Sequence, residues 1–239
     1  MTWSILARDE AGHFGIAIAS RFFAVGALCM HSRAGVGVLS TQALMNPLYG
    51  PAGIELLAMG QAPVQVAAAL VGGDAGRDQR QLHVLGVRGP GAAYTGSSCV
   101  DWCGQHVGAD FSVAGNMLAG PQVVQASVDA YQMSQGMPLA ERLLAALAAG
   151  EAAGGDKRGK QSAALRIQGA EVYPQLDMRV DDHADPIPEL LRLYAVSLER
   201  FQPFVATLAK RGDPSGLLDR AQIEASIERF HAARQGRLQ

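Results

Sequence analysis

The sequence predicts an α+β fold in which antiparallel sheets are layered with helices. Three observations carry that expectation. The strand-like segments come in hairpin pairs and not as alternating strand–helix–strand units, which favours antiparallel sheets over a doubly wound parallel one. The order along the chain is strands, helices, strands, helices. The 239 residues are 49% hydrophobic and 18% charged, enough apolar material for a sizeable core.

Residues 2–7, "TWSILA", are β-prone, "RDEAGH" is a turn signal, and "FGIAIAS" sets β-branched residues at alternate positions; together they read as an opening hairpin. "AVGALCMHS" is expected as a third strand. "GVGVLSTQA" (35–43) is expected as a fourth, ending in polar Ser40, Thr41 and Gln42. Asn46-Pro47 and "YGPAG" make a turn, with Pro51 placed to start a helix. "AGIELLAMG" and "APVQVAAALVGG" then read as two short helices, each closed by glycine.

A second hairpin runs "QLHVLGVRG" to "GAAYTGS" across "GPG", and "DFSVAGNML" (110–118) is a strand running into a loop. "PQVVQASVDAYQM" (121–133) and "PLAERLLAALAAGEAAG" (138–154) carry helical spacing. "QSAALRIQG" and "AEVYPQLDMRVDDH" give further strands. "PIPELLRLYAVSLERFQPFVATLAK" and "LDRAQIEASIERFHAARQ" close the chain as amphipathic helices. The one clear break, at "KRGDPSG", divides it into a main domain, 1–212, and a helical extension, 213–239.

Several partner classes are excluded. The net charge is −2 and no basic stripe is present, which argues against nucleic acid. No apolar run is long enough to span a bilayer, and "MTWSILARDE" has no basic n-region, so a cytoplasmic protein without membrane partners is expected. Three cysteines, Cys29, Cys99 and Cys103, do not make a disulfide framework. Cys99, Cys103 and His106 are clustered, but a closed metal site needs a fourth ligand. Asp181, Asp182, His183 and Asp185 precede a helix whose N-terminal dipole they complement. Neither a metal nor a cofactor is expected.

Chemistry concentrates at four places. Thr2 opens the first strand, and loss of Met1 would set a hydroxyl nucleophile and a free α-amine on one residue. With a pKa near ~8 that amine can serve as the base that a threonine hydroxyl requires. Ser20 and Arg21 end an otherwise apolar strand, where a guanidinium can pair with a carboxylate. Gly115 and Asn116 offer a backbone N–H and a side-chain amide as oxyanion donors. The fourth place is "GGDKRGKQS". The chain has three lysines against 17 arginines, yet Lys157 and Lys160 both fall in this turn, beside Asp156 and Arg158 and just before Ser162. Lysine is the cation whose pKa shifts readily on burial.

These residues lie within segments that resemble the DUF1028 family. The resemblance rests on "TWSILARD", "ASRFFAVGA", "AGVGVLSTQALMNPLYGPAGIELL", "GRDQRQLHVL", "TGSSCVDWCG", "VAGNMLAGPQVV", "PLAERLLAALAAGEAAGGDKRGKQSAAL" and "MRVDDHADPIPELLRLY", roughly residues 2–195 in order. It implies an N-terminal-nucleophile-hydrolase-like fold, a four-layer αββα sandwich of two antiparallel sheets with helices outside. It also implies that Thr2 is the position matching the nucleophile. No lysine precedes Lys157, so either Lys157 or Lys160 reaches the nucleophile from far along the chain, or Arg21 supplies the positive field, or the site has no such device.

The resulting expectation is an amidohydrolase cutting an amide or ureido bond of a small anionic compound. Thr2 attacks, its α-amine is the base, and Asn116 and Gly115 stabilise the oxyanion. Arg21 and Lys157 or Arg158 hold the anionic end, Asp156 orients Lys157, and Ser20, Gln42 and Asn46 complete the pocket. The alternative is a non-catalytic ligand-binding module on the same scaffold. A third reading retains Met1 and uses Ser4 or Cys29 as nucleophile. A homodimer is expected.

Overall fold

A computed structural model of the chain describes residues 2–236, so Met1 lies outside the described residues. The chain divides into two compact units, Met1–Leu190 and Leu191–Gln239.

The first unit contains β1 (Thr2–Arg8), β2 (Phe14–Ser20), α1 (Val25–Cys29), β3 (Met30–Arg33), β4 (Gly37–Ala43), α2 (Tyr49–Ala58), α3 (Pro63–Gly72), β5 (Arg80–Gly86), β6 (Ala92–Thr95), β7 (Gly104–Val107) and β8 (Phe111–Asn116). It continues with α4 (Gln122–Met133), α5 (Leu139–Ala152), β9 (Ser162–Gln168) and β10 (Leu176–Val180). The strands form a six-stranded sheet, β10-β9-β2-β1-β8-β7, and a four-stranded sheet, β3-β4-β5-β6, and every pairing is antiparallel. Helices α4 and α5 cover the outer face of the larger sheet, α2 and α3 cover the smaller one, and the inner faces of the two sheets meet. This is the four-layer αββα arrangement.

Period-two alternation assigns each strand residue to a layer. On β1, Trp3, Ile5 and Ala7 face the α4/α5 layer, while Thr2, Ser4 and Leu6 face the second sheet. Gly15 on β2 is glycine because α5 comes close there: an added Cβ would sit 2.4 Å from Leu143 Cδ1. The space between the sheets is itself divided. At one end Leu6, Ile16, Ile18, Val38 and Leu85 form a dry apolar cluster with Val25, Cys29 and Met30. At the other end the buried inward-facing residues are polar: Thr2, Ser4, Ser20, Ser40, Gln42, Gln81, His83, Ser112 and Asn116. A second apolar cluster, Leu39, Ile54, Leu57, Val66, Leu70 and Leu82, fixes α2 and α3 on the smaller sheet.

Three local expectations are corrected. "AVGALCMHS" is not one strand: Ala24 is left-handed (φ 50°), and Val25–Cys29 turn as a short helix before Met30 begins β3. The Ser162 hydroxyl accepts the Val25 N–H at 3.1 Å, and Gly26 lets this helix lie against Ala164 of β9. Gly104–Val107 forms a strand that the sequence does not signal, because it is a four-residue edge with mixed polarity. The long closing helix is interrupted. In the second unit α6 (Pro186–Glu199), which begins in the first, stops at Arg200, and α7 (Phe201–Val205) restarts. Pro203 explains the break, since within a continuous helix its ring would meet the carbonyl of residue 199. In α8 (Arg220–Gly236), Glu224 accepts bonds from both terminal nitrogens of Arg200, and His231 Nε2 lies 3.0 Å from the Glu199 carbonyl.

Candidate active site

Thr2 is the first residue of β1, which has neighbours on both sides in the larger sheet: β2 ends beside it at Ser20, and β8 ends opposite it at Asn116. The sheet register therefore brings together residues 2, 20 and 116. The Thr2 and Ser20 hydroxyls lie 3.2 Å apart. Asn116 Nδ2 donates to Gln81 Oε1 at 2.9 Å and reaches the Thr2 carbonyl at 3.4 Å. Thr2 and Asn116 are both buried.

Behind them a hydrogen-bonded chain crosses between the sheets. Gln81 Oε1 also accepts from Gln42 Nε2 at 2.8 Å, and Gln81 Nε2 donates to the Gly115 carbonyl and to Thr95 Oγ1, each at 2.8 Å. Gln42 Oε1 accepts from Ser4 at 2.7 Å, and Ser4 Oγ lies 2.7 Å from His83 Nε2. On the other side of the ring, His83 Nδ1 lies 3.1 Å from Ser112 Oγ. Burial pushes the His83 imidazole down from its ordinary 6.5 to about 3, so the ring is neutral. A neutral imidazole has one N–H and one lone pair; the Ser4 hydroxyl gives its hydrogen to Gln42, so it accepts from an N–H on Nε2, and the lone pair on Nδ1 faces Ser112.

The GGDKRG turn reaches the same end of the larger sheet. Gly154, Gly155 and Gly159 have positive φ (118°, 48° and 107°), which accounts for its glycines. Leu118, two residues after Asn116, forms a bridge with Asp156. The Asp156 carboxylate is buried and accepts the Arg21 N–H at 2.7 Å, the Arg158 N–H at 2.8 Å and Arg158 Nη2 at 3.3 Å. The expected Asp156–Lys157 partnership is thus corrected: the carboxylate is filled by Arg158 and two backbone amides, while Lys157 Nζ donates to the Asp101 carbonyl at 2.6 Å. Lys160 is neutralised by Glu151 and Asp185 at 2.9 and 3.1 Å. Arg21 Nη1 holds the Lys160 carbonyl at 3.3 Å. Arg21 and Lys157 therefore bond backbone carbonyls, and their charge remains available at this rim.

Other expected residues fall elsewhere or carry structural duties. Asn46 is not brought to Thr2. Its backbone bonds the Thr41 hydroxyl, and its side chain joins Tyr49 and Arg80 around Asp74, where the Arg80 guanidinium and the Tyr49 hydroxyl hold the Asp74 carboxyl well below the usual carboxylate range. Gly115 is a ladder residue, opposite Trp3 on one side and Gly104 on the other, so its N–H lies in the plane of the sheet. An added Cβ there would lie 2.4 Å from Leu118 Cδ1, which accounts for the glycine. Ser4 is fully buried within the polar chain. Burial pushes the Cys29 thiol up to about 12, so it is a poor nucleophile. Among the described residues no three His, Cys, Asp or Glu side chains are grouped to hold a metal ion.

Gln81, His83 and Ser112 carry no site signal in the sequence reading, and Ser40 appears there only as a polar strand end. What pattern there is lies in "RQLHVLG", where Gln81 and His83 alternate with apolar residues, but alternation of that kind ordinarily marks a solvent-facing side.

A four-layer αββα sandwich with a hydroxyl-bearing residue at the head of an interior strand and a buried polar layer beneath it is the class of protein that this fold and site define. Residues 2–190 match the family model described as "Family of unknown function (DUF1028)", and the chain belongs to that family. The crystal structure of a Silicibacter pomeroyi protein of the same family is 30% identical; the match covers 92% of this chain and 96% of that one, with a TM-score of 0.84. Anbu from Hyphomicrobium sp. strain MC1 aligns at 12% identity over 82% of this chain and 94% of its own, with a TM-score of 0.44. Anbu (ancestral beta-subunit) from Yersinia bercovieri aligns at 13% identity over 82% and 94%, with a TM-score of 0.40. No curated protein matches the chain. No helix among the described residues is long and apolar enough to cross a membrane.

Proposed function

We propose that the protein is an N-terminal-nucleophile amidohydrolase of the cytoplasm, acting as a homodimer on an amide or ureido bond of a small anionic compound. The observation that carries the reading is the convergence at the head of β1, with the Thr2 hydroxyl 3.2 Å from Ser20 Oγ and the Asn116 amide directly across the ladder. Cleavage of the peptide bond before Thr2 leaves its α-amine beside its own hydroxyl. The amine takes the hydroxyl proton as Oγ1 attacks the substrate carbonyl. The developing oxyanion takes a hydrogen bond from Asn116 Nδ2. One of that group's two hydrogens is held by Gln81 at 2.9 Å, and the other makes only a long 3.4 Å contact to the Thr2 carbonyl, from which it is readily transferred. Ser20 aligns the Thr2 hydroxyl. The proton on the amine passes to the leaving nitrogen, and water then releases the acyl group from Thr2.

Arg21 and Lys157 draw in the substrate's anionic end. Arg158 is engaged by Asp156 and by the Arg21 carbonyl, and so shapes the rim without offering its charge to the substrate. Gln42 acts at one remove, by holding Gln81.

The test is the intact mass of untagged protein, followed by a screen of amides and ureido compounds with a Thr2→Ala control. Loss of Met1 together with turnover that Thr2→Ala abolishes supports the reading. Retained Met1 in folded, natively expressed protein removes the α-amine and refutes it; ligand affinity unchanged in Thr2→Val would then identify a binding module.

A further inference from the structure

The larger sheet ends at β10, which pairs with β9 on one side and, among the described residues, with no strand on the other. Proteins ordinarily blunt such an edge with proline, charged side chains, a bulge or a covering element, and on β10 the charges are Asp177 and Arg179, which are of opposite sign and can pair with a second copy as well as repel other strands. The opposite rim of the sandwich is covered by side chains: β6 and β7 are stitched together by Thr95 donating to Gln105 at 2.6 Å and by Gln105 Nε2 donating to the Ala93 carbonyl at 3.3 Å. Edge strand β3 is stitched to β9 through Arg166 on the Met30 carbonyl and Ser32 on Gln168. Strand β10, "LDMRV", has no proline, glycine or lysine. Leu176, Met178 and Val180 are buried, and Asp177 and Arg179 are exposed on the other face. Along that face Asp177, Arg179 and Asp181 line an open groove of about 430 Å³. Arg166 lies against Asp177 at 2.8 Å, and Asp181 lies 3.5 Å from Arg179.

We propose that this edge is the seat of a second copy of the chain, with β10 pairing antiparallel to β10 about a two-fold axis at Met178 and joining two six-stranded sheets into one. The register follows from symmetry and charge. Residues directly opposite in an antiparallel pair point to the same face, so a two-fold axis perpendicular to the sheet must pass through a residue position, not between two. Three centres keep at least three residues of β10 overlapped. An axis at Asp177 sets that carboxylate against its own copy, and an axis at Arg179 does the same with the guanidinium. An axis at Met178 sets Asp177 against Arg179 of the second copy, twice, and Leu176 against Val180 of the second copy, twice. Opposite charges directly across a ladder attract and like charges repel. Only the Met178 axis is complementary on both faces, and it is self-complementary, as an isologous dimer requires.

The experiment uses the full chain. Light scattering after size exclusion should give the wild type twice the 25.1 kDa chain mass. Arg179→Glu sets a carboxylate against Asp177 of the other copy at two symmetric places, and should weaken the dimer by about tenfold or more while the circular dichroism spectrum stays that of the folded wild type. Met178→Cys, with Cys99 and Cys103 changed to serine, should form a covalent dimer on mild oxidation, because position 178 faces its own copy. A wild type that is monomeric at tens of micromolar overturns the proposal. So does a dimer that Arg179→Glu leaves intact, or one that Met178→Cys does not cross-link.

Discussion

Lowering the pH should load a proton onto His83 in the unfolded chain long before it does so in the folded one. The ring is fully buried between the sheets, and burial holds its folded pKa at about 3 against an ordinary 6.5. Between those values the unfolded state binds one more proton at this site, so stability rises with pH across the window and falls as acid is added. The slope is about 1.4 kcal/mol per pH unit, and the loss between pH 6.5 and pH 4 is roughly 3 kcal/mol. Above pH 6.5 both states carry a neutral ring and the effect is absent. A domain of ordinary stability, about 5–15 kcal/mol, should feel such a loss as a marked drop in its urea midpoint. The assay is urea unfolding at pH 7.5, 6.5, 5.5 and 4.5 for wild type and His83→Gln. The variant carries its own constant packing cost, so the slopes are compared and not the absolute values. The His31 pKa is also lowered by burial, but that contribution is common to both proteins and cancels. Parallel curves, or a native imidazole signal for His83 titrating near 6.5, would refute the argument.

Gln81→Met should cost about 2–4 kcal/mol, because it leaves Gln42 Nε2 and Asn116 Nδ2 each without the Gln81 acceptor in a buried layer; a loss below about 1 kcal/mol in urea unfolding would count against the polar chain as a structural unit. Tyr131→Phe should be neutral or stabilising by up to about 1 kcal/mol. The Tyr131 hydroxyl is buried without an acceptor, while the ring keeps its contact with Phe111 at 4.8 Å and its place under Arg142 at 3.9 Å. Thermal unfolding of the two proteins decides it, and a clear loss of stability would mean that the hydroxyl has a partner in solution.

The layered α+β architecture was legible because its signals are local. Hairpin spacing, glycine-closed helices and β-branched alternation depend on neighbours in sequence, and the observed sheets keep the expected hairpins β1–β2 and β5–β6. What was not legible depends on distant partners. "AVGALCMHS" looks like a strand until Ser162, 137 residues beyond Val25, caps its first turn. Asp156 sits next to Lys157 in sequence, yet its carboxylate is claimed by the Arg21 amide 135 residues away. The sequence marks Thr2, Ser20 and Asn116 singly, as strand-end polar residues; that they meet is a property of the β2-β1-β8 register, which no local pattern encodes. Gln81 and His83 read as the wet side of a strand because a lone sheet does have one. Only the presence of a second sheet turns that side inward.

That inward turn bears on why the polar chain exists at all. Two apolar inner faces would pack as well by area, but they would leave one sheet free to settle on the other in several registers. The apolar half, Leu6 and Ile16 against Val38 and Leu85, supplies burial without direction. The polar half supplies direction: Ser4, Gln42 and His83 meet at 2.7 Å, and a slip of one residue would strand every one of them in a dry layer. Asn116 hangs from the same chain through Gln81, so the constraint that fixes one sheet against the other also fixes the amide beside Thr2. A variant that loosens the layer should therefore disturb the head of β1 before it unfolds the protein. Side-chain amide signals of Asn116 in Gln81→Met are the place to see it. A spectrum at Asn116 unchanged from wild type would separate the two roles and leave the polar layer as scaffolding alone.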